Sequence, residues 1–236
     1  MKRFLKIIVA PVYHGYFSLR YIWFVWFYLI NAKARRLFKE NLPNLDDVQK
    51  RIVEDLKCDG ITITSLDELF PNENLLVDFQ SYVREKRLFA SKNAKKGYLM
   101  QIWPTVPELD LNNIFLKKIL RRRILDIANS YMEMLSRFYF YTLNITSPSK
   151  DEAPVASQRW HRDPEDKRIV KMFIYLNDVD LDAGPFIYVR GSHFGGRNGS
   201  YFPQKPSKGV YPKTADVERV VPKEDYKTCS GAAGTV

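Results

Sequence analysis

The chain has 236 residues, 45% hydrophobic and 27% charged, which suffices for one packed domain and excludes a disordered or collagen-like chain. Its two cysteines, Cys58 and Cys229, exclude a disulfide scaffold and a zinc ribbon and point to a reducing, cytoplasmic setting. The net charge is +10, but residues 1–39 hold eight Lys/Arg and no acid, so residues 40–236 carry only +2. A basic leader on a near-neutral body argues against a nucleic-acid-binding domain.

Residues 1–40 read as a helical leader set apart from a body spanning 41–236. The leader is rich in aromatics: Tyr16, Phe17, Tyr21, Trp23, Phe24, Trp26, Phe27 and Tyr28. Its longest uninterrupted apolar run, 21–30, is ten residues, where a spanning helix needs about twenty. Pro11, His14 and Gly15 break the pattern of a secretory signal. Two readings stand for this segment. It lies on a membrane surface with Lys and Arg on anionic headgroups, or it packs on the body or on a partner chain.

The body opens with a helix over 45–57, with Asn44 as N-cap and Asp46 and Asp47 in its first turn. Gly60 ends it, and the β-branched run 60–64 predicts a strand. Leu76, Phe79, Val83 and Leu88 predict a helix over 74–89, and 98–103 a strand stopped by Pro104. Leu116, Leu120, Ile124, Ile127, Tyr131 and Leu135 mark one face of a long helix. Lys117, Lys118, Arg121, Arg122 and Arg123 then make a solvated face opposite. After Ser136 the texture becomes aromatic and β-branched, and strands are expected over 137–146, 168–177 and 185–190. Turn-rich stretches 147–156, 178–184 and 191–208 separate them, and 231–236 reads as a turn entering a further strand. Helices first and strands second predict an α+β fold with antiparallel sheets in the C-terminal half.

The segment 157–164, Ser-Gln-Arg-Trp-His-Arg-Asp-Pro, carries the chemistry. On an extended backbone His161 and Asp163 point to one side, so an imidazole nitrogen and a carboxylate oxygen converge. A second His from another strand would complete a two-His-one-carboxylate triad for Fe(II). The competing reading is an Asx-type turn in which Asp163 pairs with Arg159 or Arg162.

Three stretches occur in an order and spacing that resemble the phytanoyl-CoA dioxygenase family of Fe(II)- and 2-oxoglutarate-dependent oxygenases. They are Trp160-His-Arg-Asp163, Tyr175-Leu-Asn-Asp-Val179, and Ala183-Gly-Pro-Phe-Ile-Tyr-Val-Arg-Gly-Ser-His193. The likeness covers about residues 157–195, with a looser match over 51–70. It implies a double-stranded β-helix, a jelly-roll or cupin-like barrel flanked by N-terminal helices, incomplete here. It also implies Fe(II) on His161 and Asp163, 2-oxoglutarate as co-substrate, and hydroxylation of a small-molecule or lipid-like substrate. Related halogenases vacate the carboxylate position for chloride, so Asp163 points to hydroxylation. If the face carrying Lys171, Phe173 and Tyr175 lines the barrel, Phe173 packs beside 2-oxoglutarate and Tyr141 donates its hydroxyl to a co-substrate carboxylate. Ordinary strand packing is the alternative for all of these. Arg190 is expected either on an anionic substrate or solvated, and Trp160 in barrel packing.

In the family the distal His comes from a later strand, followed by an Arg for 2-oxoglutarate, and no His follows His193 here. Three expectations compete. The reading frame continues past Val236 with a His about ten residues on, roughly a strand plus a turn. Alternatively His193 serves as third ligand of a cupin-like site, or the barrel is a non-catalytic scaffold with the leader as its contact.

Overall fold

The structure is a computed structural model that describes residues 15, 18–92, 98–103, 110–146, 154, 156–163, 165–204 and 210–236. His14, Pro104 and residues 147–153, most of one expected turn-rich stretch, lie outside the described residues.

Residues Val25–Ile30 form a π-helical turn, and α1 (Ala32–Glu40) follows. Asn31 closes the wide turn: both its backbone N–H and its side-chain amide donate to the Trp26 carbonyl, at 3.2 and 2.9 Å. Helix α2 (Asp47–Cys58) is capped by Asp46, two residues later than Asn44. Asp46 accepts from the Gln49 backbone, and the Gln49 side chain accepts from the Asp46 N–H, which completes a capping box. The expected strand over 60–64 is extended chain, paired only where Thr64 exchanges hydrogen bonds with Val236. Ser65 caps the short α3 (Leu66–Leu69), and α4 (Leu75–Lys86) follows.

Strand β1 (Ser91–Lys92) pairs antiparallel with β2 (Leu99–Gln101), and β2 with β3 (Asn144–Thr146). The long helix expected over 116–135 is two helices, α5 (Ile114–Ile119) and α6 (Arg122–Met132). The break falls at Leu120 and Arg121, where the backbone leaves the helical region and becomes extended at Arg121. Arg121 leaves the helix path to donate to Glu73 at 3.0 Å and to lie over the Phe70 ring. Nor is the basic face simply solvated: Arg123 pairs with Asp46, Arg122 with Asp126 and Lys118 with Asp78.

In the C-terminal half, β4 (Phe186–Val189) pairs antiparallel with β5 (Tyr226–Cys229), with α7 (Thr214–Val220) between them in sequence. The expected strands over 137–146 and 168–177 are shorter in regular pairing than their sequences suggest. Only β3 is regular in the first, and the second is extended chain with local pairing. The last residues thread between two extended segments. Tyr175 pairs with Gly234 and Thr235, Val179 with Gly231, and Thr64 with Val236, all at 2.7–2.9 Å. The segment 231–236 is thus the middle of a small antiparallel arrangement. The fold is α+β, and the two named sheets do not close into a barrel among the described residues.

The main core is helical. Ile52, Val53, Leu66, Leu69, Leu75, Phe79, Phe115 and Ile127 make one cluster, with Phe79 fully buried and stacked on Phe115 at 4.2 Å. Full burial of such a side chain is worth about 1.5–3 kcal/mol. Met172, Ile174 and Leu176 pack onto this cluster, which turns Lys171 and Phe173 outward by the two-residue alternation of extended chain. The Gln80 amide donates to the Leu176 carbonyl at 2.8 Å and fastens this segment to α4.

Candidate metal centre

Alternation also orients the segment 160–163. Trp160 packs with Val189, Val217 and Val221 in a second core cluster and meets Tyr226 edge-on at 5.7 Å. Arg162, on the same side, points inward. It donates to the Phe202 carbonyl and, at 3.4 Å, to the Ser192 carbonyl, while its backbone bridges Val210. Burial pushes its guanidinium pKa down, against the raising influence of Tyr188 and Tyr131. With Trp160 and Arg162 anchored inward, His161 and Asp163 are left together on the other face.

His161 Nε2 lies 3.6 Å from Asp163 Oδ1, and His161 Nδ1 lies 2.8 Å from the Arg159 carbonyl. A carbonyl only accepts, so Nδ1 is the donor there, and Nε2 is the ring nitrogen turned toward the carboxylate. At 3.6 Å Nε2 and the carboxylate oxygen are too far apart for a direct hydrogen bond. Two donors at about 2.0–2.2 Å from one cation stand roughly 3.5 Å apart across a tetrahedral angle and roughly 3.0 Å apart across the right angle of a facial triad, so this pair would close by about half an ångström to share an Fe(II) ion. The Nδ1–carbonyl bond is the kind of outer hydrogen bond that orients ligating imidazoles. Tyr211 stacks on the ring, with centroids 5.9 Å apart.

The Asx-turn alternative requires Asp163 to face Arg159 or Arg162. It faces Lys171 instead, with Nζ 2.6 Å from Oδ2. Lys171 is the site residue whose role sequence reasoning missed. The available signal was its placement on the outward face eight residues on, but a partner across a turn has no spacing rule. Phe173, next on that face, is 52% exposed and stacks on Phe186 at 5.4 Å. Tyr141 is half-buried, edge-on to Trp103 at 5.0 Å, just before β3. Arg190, part-exposed, reaches Asp59 at 3.9 Å and donates to the Glu224 carbonyl.

His193 stands elsewhere. Its Nε2 donates to the Lys57 carbonyl at 3.2 Å, its Nδ1 is buried without a partner, and burial pushes its pKa down. It lines a cavity of about 240 Å³ with Lys57, Tyr131, Glu133, Arg168, Phe194 and Gly195. No three of the described His, Cys, Asp or Glu residues converge as a metal site. The turn carrying His193 is locked to the end of α2. Gly191 (φ +69°) donates to the Asp59 carbonyl at 2.6 Å, and Arg197 bridges Asp59 and Asp225 at 2.7 Å each. Gly60 (φ +76°) lies so close beneath that a Cβ would sit 2.5 Å from His193 Nδ1.

No protein family, curated protein or solved structure matches the chain.

Proposed function

We propose that the protein is an Fe(II)- and 2-oxoglutarate-dependent dioxygenase of a jelly-roll type that hydroxylates a small-molecule or lipid-like substrate. The observation that carries this reading is the convergence of His161 Nε2 and Asp163 Oδ1 at 3.6 Å, with Nδ1 tied to a carbonyl. Drawn about half an ångström closer, these two groups would occupy two neighbouring positions of a facial triad and leave sites open for co-substrate. Iron(II), when bound, supplies the coupling of 2-oxoglutarate decarboxylation, with O2, to substrate hydroxylation.

The chain's own residues have separate tasks. Arg159, through its carbonyl, holds the His161 ring in the tautomer that offers Nε2. Arg162 and Trp160 hold the backbone so that both donors face outward. Lys171 neutralises Asp163 in the absence of metal. If iron took the carboxylate, the Lys171 ammonium would be free to pair with the anionic end of 2-oxoglutarate. Phe173 and Phe186 give that face an apolar wall, and Tyr141 is the candidate hydroxyl donor.

Anaerobic loading with Fe(II), followed by 2-oxoglutarate and O2, tests the reading. Succinate should form and should be lost in Asp163→Ala. An iron-loaded protein that makes no succinate with any panel of small acceptors refutes it. One observation favours a second reading, a non-catalytic scaffold: the 2.6 Å Lys171–Asp163 pair is also what a purely structural ion pair looks like. That reading predicts no iron uptake and a lower melting temperature in Lys171→Ala.

A further inference from the structure

The leader has two faces of opposite fate. Trp26 and Phe27 are buried with Met134, and Trp23 stacks on Phe194 at 4.8 Å. Asp166 accepts from Arg20 at 2.6 Å and from the Trp26 indole at 2.7 Å, so this face is fastened to the body. The other face is apolar and bare. Leu19, Ile22, Phe24, Tyr28, Leu29 and Ile30 are all exposed, Phe24 and Leu29 each by 60%. Such a run of large apolar side chains on a folded protein marks an interaction surface.

Positive charge is continuous with this ridge. The Phe24 ring touches Tyr28 at 5.3 Å, and the Arg35 guanidinium lies over Tyr28 and Phe27 at 4.5 and 3.9 Å. Arg35, Arg36 and Lys39 line a shallow cleft of about 270 Å³ on α1. Lys33 and Lys39 are exposed and have no acid partner among the described residues, and only Arg36 has one, Glu40 at 3.8 Å. The Arg35 Nε is buried without a hydrogen-bond partner. No acid occurs in residues 1–39. No helix among the described residues is long and apolar enough to cross a membrane.

We propose that this face docks the protein peripherally on an anionic lipid surface. Phe24, Tyr28 and Leu29 enter the headgroup–acyl boundary, and Lys33, Arg35, Arg36 and Lys39 meet lipid phosphates. Charge selects this occupant. An apolar ridge alone would suit another protein, but a ridge edged by four cations and one acid complements an anionic bilayer, and aromatic rings are favoured at that depth. The proposal stands independently of the iron site.

Flotation of the full chain with vesicles tests it. Binding should be strong on phosphatidylserine/phosphatidylcholine vesicles, weak on phosphatidylcholine alone, and reduced by salt. Lys33→Gln with Lys39→Gln should weaken binding on the order of 25-fold, about fivefold per cation near the surface. Phe24→Ser with Leu29→Ser should abolish flotation while far-UV circular dichroism stays unchanged. If that variant does not fold, the lysine pair carries the test. A Tyr28→Trp reporter should shift to the blue on vesicles. No flotation of the wild-type chain, or flotation indifferent to both variants, overturns the proposal. Concentration-dependent self-association relieved by Phe24→Ser, without flotation, also overturns it and assigns the ridge to a second copy of the chain.

Discussion

Replacing Asp225 by Ala should loosen the turn that presents His193. The Asp225 side chain is only 9% exposed, and it accepts from Arg197 Nη2 and from Asn198 Nδ2, each at 2.7 Å. Hydrogen bonds to a charged group contribute about 1.5–3 kcal/mol each. Three features reduce the sum. Arg197 is 44% exposed and gains water, it keeps Asp59 at 2.7 Å, and Asn198 keeps its 2.9 Å bond to the Arg190 carbonyl. A net loss of about 2–3 kcal/mol follows. For a chain of this size that lowers Tm by roughly 5–10 °C, at about 2–4 °C per kcal/mol. The pH dependence has a definite sign. Hydrogen bonds from Arg197 and Asn198 hold the Asp225 carboxyl below its ordinary value. Its contribution is therefore fully present above the ordinary carboxylate pKa of about 3.9 and is lost as pH falls through the lower folded value. Thermal melts followed by circular dichroism at neutral and acid pH check this. Equal melting of wild type and Asp225→Ala at pH 7, or a gap that widens in acid, would refute the reasoning.

Three further outcomes are expected. Lys171→Ala removes a cation that competes for Asp163, so titration should show Fe(II) binding about fivefold tighter, as the loss of a half-exposed pair worth about 1 kcal/mol implies, and 2-oxoglutarate binding weaker. Burial lowers the His193 pKa, so below the ordinary histidine value of about 6.5 the unfolded chain binds the proton first and stability falls with pH; His193→Gln should flatten urea-derived stability between pH 5 and 6.5, and an unchanged slope would contradict this. Asp166→Asn weakens the charged part of the anchor for Arg20 and Trp26, so limited proteolysis should cut sooner within residues 18–31 while the body stays intact.

The site was legible where physics is local. The two-residue period of extended chain placed His161 with Asp163 and Phe173 on one face with Lys171. The family resemblance turns that face into a barrel, whereas Met172, Ile174 and Leu176 pack inward and leave it outside. Helix α4 followed from apolar spacing. What escaped the sequence depends on partners distant in the chain. The split of the long helix at Arg121 is set by Glu73 and Phe70, and the hold of Lys171 on Asp163 by a turn with no sequence signature. The cap at Asp46 rather than Asn44 was in reach, because Asp46 and Gln49 have capping-box spacing. The leader divides by face: Trp26 and Phe27 pack inward while Phe24 and Leu29 face out, and composition alone cannot split neighbours in this way.

The most direct measurement of the iron site uses the fact that the chain has only three histidines, His14, His161 and His193. Their ring signals can be followed by NMR during anaerobic addition of Fe(II), whose unpaired electrons broaden nearby nuclei. The account predicts that the His161 signals broaden first, that His193 is spared, and that Asp163→Ala removes the effect. Uniform broadening of all three, or no response at His161, would contradict it.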